Sequence, residues 1–407
     1  MEQPMAQASR PPSSGPVHPA LVILALSMGA FAIGTTEFAA MSLLPFFAGD
    51  LRISEPMAGH AISAYALGVV VGAPVIAVLG ARLPRRTLLI GLMALFAIGN
   101  GMSALSPDYA TMLLFRFLSG LPHGAYFGVA ALVAASLVPG DRRALAVARV
   151  MTGLTVATVI GVPVANWMGQ ALGWRWGFGI VAVLAMITMT LVALYAPRDA
   201  GDPAAVPMRE LGALREPQVL LTLLTGAIGF GGLFAVYTYV ASTMISVTHV
   251  SERLVPVVLA IFGIGMTIGN LAAAWAADRA QGRTAVIVLL WSAASLALFP
   301  LMAGNIWSLS LVIFLIGCGG GLGSVLQTRL MDVAGDAQTL AAAAHHSAFN
   351  VANALGPWLG GLAISAGYGL TSTGWIGAAL ALGGLAIFLL ALNLRQKSLR
   401  LAAVACE

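Results

Sequence analysis

The sequence predicts an all-α integral membrane protein of twelve spanning helices, built as two pseudo-symmetric six-helix bundles. Three observations carry that expectation: the composition, the spacing of apolar runs, and an internal repeat. Of 407 residues, 59% are apolar and only 9% charged, with a mean hydropathy of +0.93. A soluble chain is about 25% charged, so this one lacks the charge to solvate a globular surface. Disordered chains are poor in apolar residues, and the 47 Gly and 20 Pro follow no G-X-Y period, so disorder and collagen fall too. Helices that satisfy their own backbone in lipid remain.

A spanning helix needs about 20 mainly apolar residues. Such segments fall at approximately 20–47, 56–80, 87–106, 109–137, 144–170, 175–196, 218–245, 254–277, 284–303, 306–328, 338–366 and 373–393. Residues 1–19, rich in Pro and Ser, read as a flexible N-terminal tail. A secretory signal is rejected there, because the apolar run continues past Ala30-Phe31-Ala32 to about Phe47. The expected organisation is a tail at 1–19, a bundle at 20–196, a polar linker at 197–217, a second bundle at 218–393 and a tail at 394–407.

The halves repeat. Sliding the chain by 197 residues places Gly72 on Gly269, Ala77 on Ala274, Arg82 on Arg279 and Arg86 on Arg283. Each set sits at one end of the second span of its half, a layout typical of secondary transporters. Basic residues then predict orientation. With the N-terminus inside, 15 Lys or Arg fall on the cytoplasmic side, 3 (Arg52, Arg175, Arg253) outside, and Arg116 and Arg149 within spans. Both termini are therefore expected in the cytoplasm. The isoelectric point near 9.6 is thereby read as topogenic, without a nucleic-acid partner.

Fifteen acidic residues are present, and only Glu37 falls well inside a predicted span. A charge at the bilayer centre costs at least about 2.5–3.5 kcal/mol, so such carboxylates are rare and usually face a cavity. Glu37 is therefore the candidate proton carrier or substrate contact; the alternative is a protonated Glu acting only as an interhelical donor. Arg116 is the buried cation, ahead of a Gly120-Gly124-Gly128 stripe that permits close helix approach. It tunes a proton site or serves as a hydrogen-bond hub. His346, Asn350 and Asn353 share one helical face, with His345 about 100° away. With His123, Tyr237 and Gln327 they are the candidate substrate contacts, against interhelical glue as the plainer reading.

The two Cys, 318 and 406, predict no disulfide framework, and no carboxylate or Cys stands at ligand spacing from the paired histidines. No metal or cofactor is expected. The glycines around Cys318 follow no strand and precede no Gly-Lys-Ser/Thr, so an ATP-driven pump is disfavoured.

At these residues the sequence resembles the major facilitator superfamily over positions 20–393. Gly80-Ala81-Arg82-Leu83-Pro84-Arg85-Arg86 is similar to the superfamily's loop motif, with Ala81 in place of its Asp; the repeat copy keeps Asp278-Arg279 and Gly282-Arg283. Arg116-x-x-x-Gly120-x-x-x-Gly124 is similar to the fourth-span motif of drug:proton antiporters. Gly153 through Gly161-Val162-Pro163 resembles the span-five antiporter motif, with Val162 inserted between Gly and Pro. Within that branch, Gly34-Thr35-Thr36-Glu37-Phe38, Gly120-Leu121-Pro122-His123-Gly124 and Ser347-Ala348-Phe349-Asn350 are similar to the arabinose-efflux-permease-like, sugar-efflux and chloramphenicol-resistance group.

The resemblance implies a monomeric bacterial inner-membrane transporter that exports a small organic solute by proton antiport. Glu37 and Arg116 would serve coupling; Arg82, Arg86, Asp278, Arg279, Gly161 and Pro163 would serve conformational gating. A proton-coupled uptake symporter on the same fold is the nearest rival. A membrane enzyme or sensor is further off, lacking a second intramembrane carboxylate or a soluble signalling domain.

Overall fold

The computed structural model describes residues 18–139, 142–201, 216–333 and 338–405. Most of the predicted N-terminal tail and of the linker, with Arg209 and Arg215, lies outside the described residues. The first half comprises α1 (Pro19–Ser42), the short α2 (Leu44–Asp50), α3 (Glu55–Gly80), α4 (Arg85–Ala104), α5 (Tyr109–Ser136), α6 (Arg143–Val156), α7 (Val162–Leu172) and α8 (Trp174–Tyr195). The second comprises α9 (Pro217–Gly229), α10 (Gly231–Ser246), α11 (Val255–Met302), α12 (Ile306–Cys318), α13 (Leu322–Val333), α14 (Gln338–Ala363) and α15 (Ser372–Ala405).

Ten described segments are long and apolar enough to cross a membrane. One of them contains α11, which breaks at Ala280 (φ −156°, ψ 67°) and so supplies two crossings. The 26-residue α14 is the remaining crossing, its apolar run interrupted by His345, His346, Asn350 and Asn353. Twelve crossings result, as two bundles of six. α15 runs on as helix to Ala405, into the segment 394–407 expected as a tail.

The repeat seen in sequence is a repeat of contacts. In the first half, Gly68 abuts the carbonyl of Phe117, Gly72 that of Leu121 and Gly120 that of Tyr65. In the second half, each partner 197 residues on, Gly265 abuts Phe314, Gly269 abuts Cys318 and Gly317 abuts Phe262. None of the six positions has room for a Cβ. Small residues let helix backbones approach in lipid, where no hydrophobic force draws them together. A Cβ at Gly128, by contrast, would meet nothing within 4 Å, so that position makes no close approach. Gly72→Val and Gly269→Val are each expected to cost about 1–3 kcal/mol through overpacking. Thermal unfolding in detergent checks this; unchanged melting in both would show that the helices separate freely.

Where helices are apolar all round, they lie centrally. Residues 32–44, through the end of α1, are all buried, as are residues 231–244 in α10. These two helices face each other across the bundle interface, where Phe38 lies 6.1 Å from Phe234 and 5.4 Å from Tyr237 between ring centroids.

The bundles close on each other at the end distal to the termini. Ser63 Oγ donates to the Ala354 carbonyl at 2.9 Å, and Gln170 Nε2 to the Glu252 carbonyl at 2.9 Å. On the same face Asp50 accepts from Arg175 Nη1 at 2.5 Å and from Trp174 Nε1 at 2.9 Å. Arg175 and then Trp174 hold the Asp50 carboxyl below its usual range. A depressed carboxylate stabilises the fold above its unfolded pKa of about 3.9 and loses that effect as pH falls through the folded value. Asp50→Asn is therefore expected to flatten the acid limb of melting temperature below about pH 4; an unchanged acid limb would count against the clip. The effect is small, since both side chains are nearly half exposed.

Two basic residues on apolar helices differ in burial. Arg329, expected in a cytoplasmic segment, is 2% exposed; its Nη2 donates to Gln218 Oε1 at 3.2 Å and its guanidinium lies 4.9 Å from the Phe388 ring centroid. Arg149, expected within a span, lies in the apolar helical segment Leu145–Leu172, with its side chain exposed. The apolar pattern placed each along its helix but not against its neighbours.

Candidate functional site

Between the bundles, on the termini side of the closed end, lies a cavity of about 200 Å³. Its wall draws on both halves: Glu37, His123, Thr155 and Thr158 from the first, Gln327, His346 and Asn350 from the second. Phe38, Phe127 and Phe349 give it aromatic faces. Five predicted contacts (Glu37, His123, Gln327, His346 and Asn350) thus share one wall. Tyr237 is not on it; its ring packs on Phe262 at 4.2 Å and Phe38 at 5.4 Å, inside the closed end.

Glu37 is 4% exposed and accepts a hydrogen bond from Asn353 Nδ2 at 3.0 Å. This is the one side-chain hydrogen bond of that carboxylate among the described residues, and it comes from the opposite bundle. Asn353, predicted as a solute contact, stands behind the wall with its Oδ1 buried and unpartnered. Asn350 Nδ2 is occupied by the His346 carbonyl at 3.0 Å, while its Oδ1 is unpartnered.

Arg116 lies one layer back. Its Nη1 donates to Thr36 Oγ1 at 3.1 Å and reaches Asn100 Oδ1 at 3.5 Å; Thr36 donates to the same Asn100 oxygen at 2.6 Å. The guanidinium sits over the Tyr65 ring at 4.3 Å and the Phe178 ring at 5.3 Å. Thr36 neighbours Glu37 on α1, so cation and carboxylate share one environment without direct contact. Ring faces and hydroxyls take the place of a carboxylate partner, an arrangement suited to a planar guanidinium.

From Tyr65 a chain of rings crosses the interface. Its hydroxyl meets His123 Nδ1 at 2.9 Å. His123 lies 5.3 Å from Phe127, which stacks on His346 of the other bundle at 5.2 Å with 4° between planes. Tyr65, Asn100 and Phe127 were not singled out by sequence, and Thr36 stood out only as part of the Gly34–Phe38 motif. The signal available was slight: Asn100 is a lone amide in an apolar span, while the aromatics are indistinguishable from packing residues.

The predicted gating residues fall in three places. Gly161 packs on Thr35 and Phe31 of α1 with no room for a Cβ. Residues Ala157–Gly161 form a π-turn just before Val162-Pro163. Such a turn closes one residue later than an α-turn, which absorbs the inserted Val162, and Pro163 has no amide to offer the α-helical register there. Arg82, Asp278 and Arg279 are exposed on the termini side; Arg279 folds onto Trp275 at 3.8 Å from its ring centroid.

Arg86 donates through Nη2 to the Ala193 carbonyl. Asp199 of the linker accepts from the backbone amides of Arg85 at 2.8 Å and Arg86 at 3.4 Å. A linker carboxylate therefore sits at the N-terminus of α4, beside the loop whose own acid is replaced by Ala81.

The Major Facilitator Superfamily profile matches residues 26–249 and 236–403, nearly the whole described chain. The protein belongs to the major facilitator superfamily. It is 41% identical over 376 residues to the inner membrane transport protein YdhP of Escherichia coli K12, covering 92% of this chain and 96% of that protein. It is 33% identical over 345 residues to a chloramphenicol resistance protein of Streptomyces lividans, covering 83% and 87%. Among solved structures it is similar to a bacterial homologue of the human lysosomal transporter Spinster, with TM-score 0.75, 15% identity and coverage of 93% and 98%. This superfamily member is thus a multi-pass membrane transporter, and its cavity lies between the two halves that the repeat defines.

Proposed function

We propose that the protein exports an uncharged small organic solute from the bacterial cytoplasm in exchange for protons, by alternating access of the central cavity. One observation carries the reading: among the described residues that line the cavity, Glu37 is the only Asp, Glu, Lys or Arg, and it is bonded across the bundle interface. A carboxylate so placed can take a proton from one side and release it to the other while both bundles feel the change. The absence of Lys and Arg from that wall disfavours anionic solutes, whereas Thr, Ser, Asn and Gln beside three Phe rings suit a sugar, a nucleoside or an amide-bearing drug. The name of the chloramphenicol resistance relative fits that class.

With both termini cytoplasmic, as the basic residues predict, the closed end faces outward and the cavity is open inward. Moving one charge across the membrane supplies about 2.3 kcal/mol per 100 mV for accumulation against a gradient.

The test uses purified protein in liposomes with an internal pH dye, adding sugars, nucleosides and amphenicol-type drugs singly to wild type and Glu37→Gln. Substrate-dependent proton movement lost in the variant supports the reading and names the solute class. Proton movement in the direction of the solute would replace antiport by symport.

A further inference from the structure

Asn353 stands where the two halves of the mechanism meet. Its Nδ2 donates to Glu37 Oε1 at 3.0 Å from the opposite bundle, it is fully buried, and its Oδ1 has no partner. The next residue, Ala354, accepts from Ser63 Oγ at 2.9 Å in the contact that closes the distal end. The amide is therefore attached both to the carboxylate and to the seal.

We propose that Asn353 reads the charge of Glu37 and latches the distal seal accordingly. The proposal rests on Glu37 being the proton carrier. With Glu37 ionised, Nδ2–H donates to a carboxylate, a charge-assisted bond roughly twice as strong as a neutral one. When one proton arrives from water on the other Glu37 oxygen, Oε2, the negative charge is neutralised and Nδ2–H is left donating to the neutral carbonyl oxygen Oε1. Contact survives, but as a neutral bond, and the seal loosens. An empty, ionised carrier stays latched, while a protonated one can open outward. A leak of uncoupled cycling is thereby suppressed.

Other ionisable groups face this pair. Arg116 and His123 on α5 and Tyr65 on α3 lie on the first-bundle side, His345 and His346 on α14 on the other. Neither histidine on α14 bonds Glu37, and Arg116 acts on it only through space. Asn353 is thus a positioning residue, and its signature is a pH response.

Spin labels at Gly49→Cys and Gly304→Cys report bundle separation at the distal face; both positions are exposed with open space around them. The measurement uses electron–electron distance distributions in lipid nanodiscs without added solute, on a Cys318→Ser, Cys406→Ser background. In wild type the open-to-closed ratio is expected to rise about tenfold from roughly pH 8 to roughly pH 5. In Asn353→Leu the ratio is expected to be high at both pH values and to change less than about twofold. Asn353→Asp inverts the response: two carboxylates repel at high pH and share a proton at low pH.

Wild-type pH response in both variants overturns the latch and leaves Glu37 as carrier. A wild type as insensitive to pH as Glu37→Gln overturns the carrier role, and the latch with it.

Discussion

Glu37→Gln is expected to lower substrate-dependent proton movement by about 100-fold or more, the range for removal of a proton-transferring group, while the protein still folds. Gln keeps the shape of the side chain, and its Oε1 can accept from Asn353 Nδ2 as the carboxylate does at 3.0 Å. One N–H of its Nε2 can in turn meet the unpartnered Asn353 Oδ1. Melting temperature should stay within a few degrees of wild type, since a near-isosteric swap with its bonds kept costs little. What Gln cannot do is change its proton count. The pH-dye liposome assay, paired with thermal unfolding, separates the two effects. Full proton-driven efflux in the variant would remove Glu37 from the mechanism. Solute flux without proton movement in wild type would make Glu37 a structural hydrogen bonder and point to a uniporter or another coupling ion.

Arg116→Leu should act in the opposite sense, on the fold first. The guanidinium is 1% exposed, and Nη1 supports the Thr36–Asn100 pair while its plane lies over Tyr65 and Phe178. Two of its nitrogens have no partner, so it bears a desolvation cost that offsets part of what these contacts contribute. Leu would relieve that cost but leave Thr36 as the one side-chain donor to the Asn100 amide oxygen and the rings without their cation. The net expectation is a loss of about 2–4 kcal/mol, read as a fall in melting temperature in detergent. Arg116→Lys should lie between, since an ammonium cannot fork to Thr36 and lie flat on Tyr65 together. If Arg116→Leu melts as wild type does yet fails to transport, the residue acts through its charge on Glu37 and not as a hub.

Much of this architecture is local, and local information is what a sequence carries. Apolar runs near 20 residues predicted twelve crossings because lipid leaves a helix no other way to satisfy its backbone. The 197-residue repeat was legible because each half needs glycine wherever α3 meets α5, and wherever α11 meets α12, at backbone distance. Glu37 stood out because one acid in an apolar span is costly whatever surrounds it. Helical periodicity likewise put His346, Asn350 and Asn353 on one face.

Which face meets which helix is a different kind of information. Periodicity assigns a residue to a side of its own helix but says nothing about the partner across the gap. Glu37 and Asn353 are 316 positions apart, and nothing in either span's pattern names the other. For the same reason Asn353 and Tyr237 were both read as solute contacts. Phe127 and Phe349 looked like packing, although they line the cavity. The missing acid at Ala81 was visible in sequence, yet only the packed linker brings Asp199 onto the α4 amides beside it. The sequence by itself determined how many helices cross, how the halves repeat and where the one membrane carboxylate lies, since each follows from the cost of polar groups in lipid. Only the tertiary structure decided that this carboxylate is held from the far bundle, because that bond exists only once two separately encoded surfaces have docked.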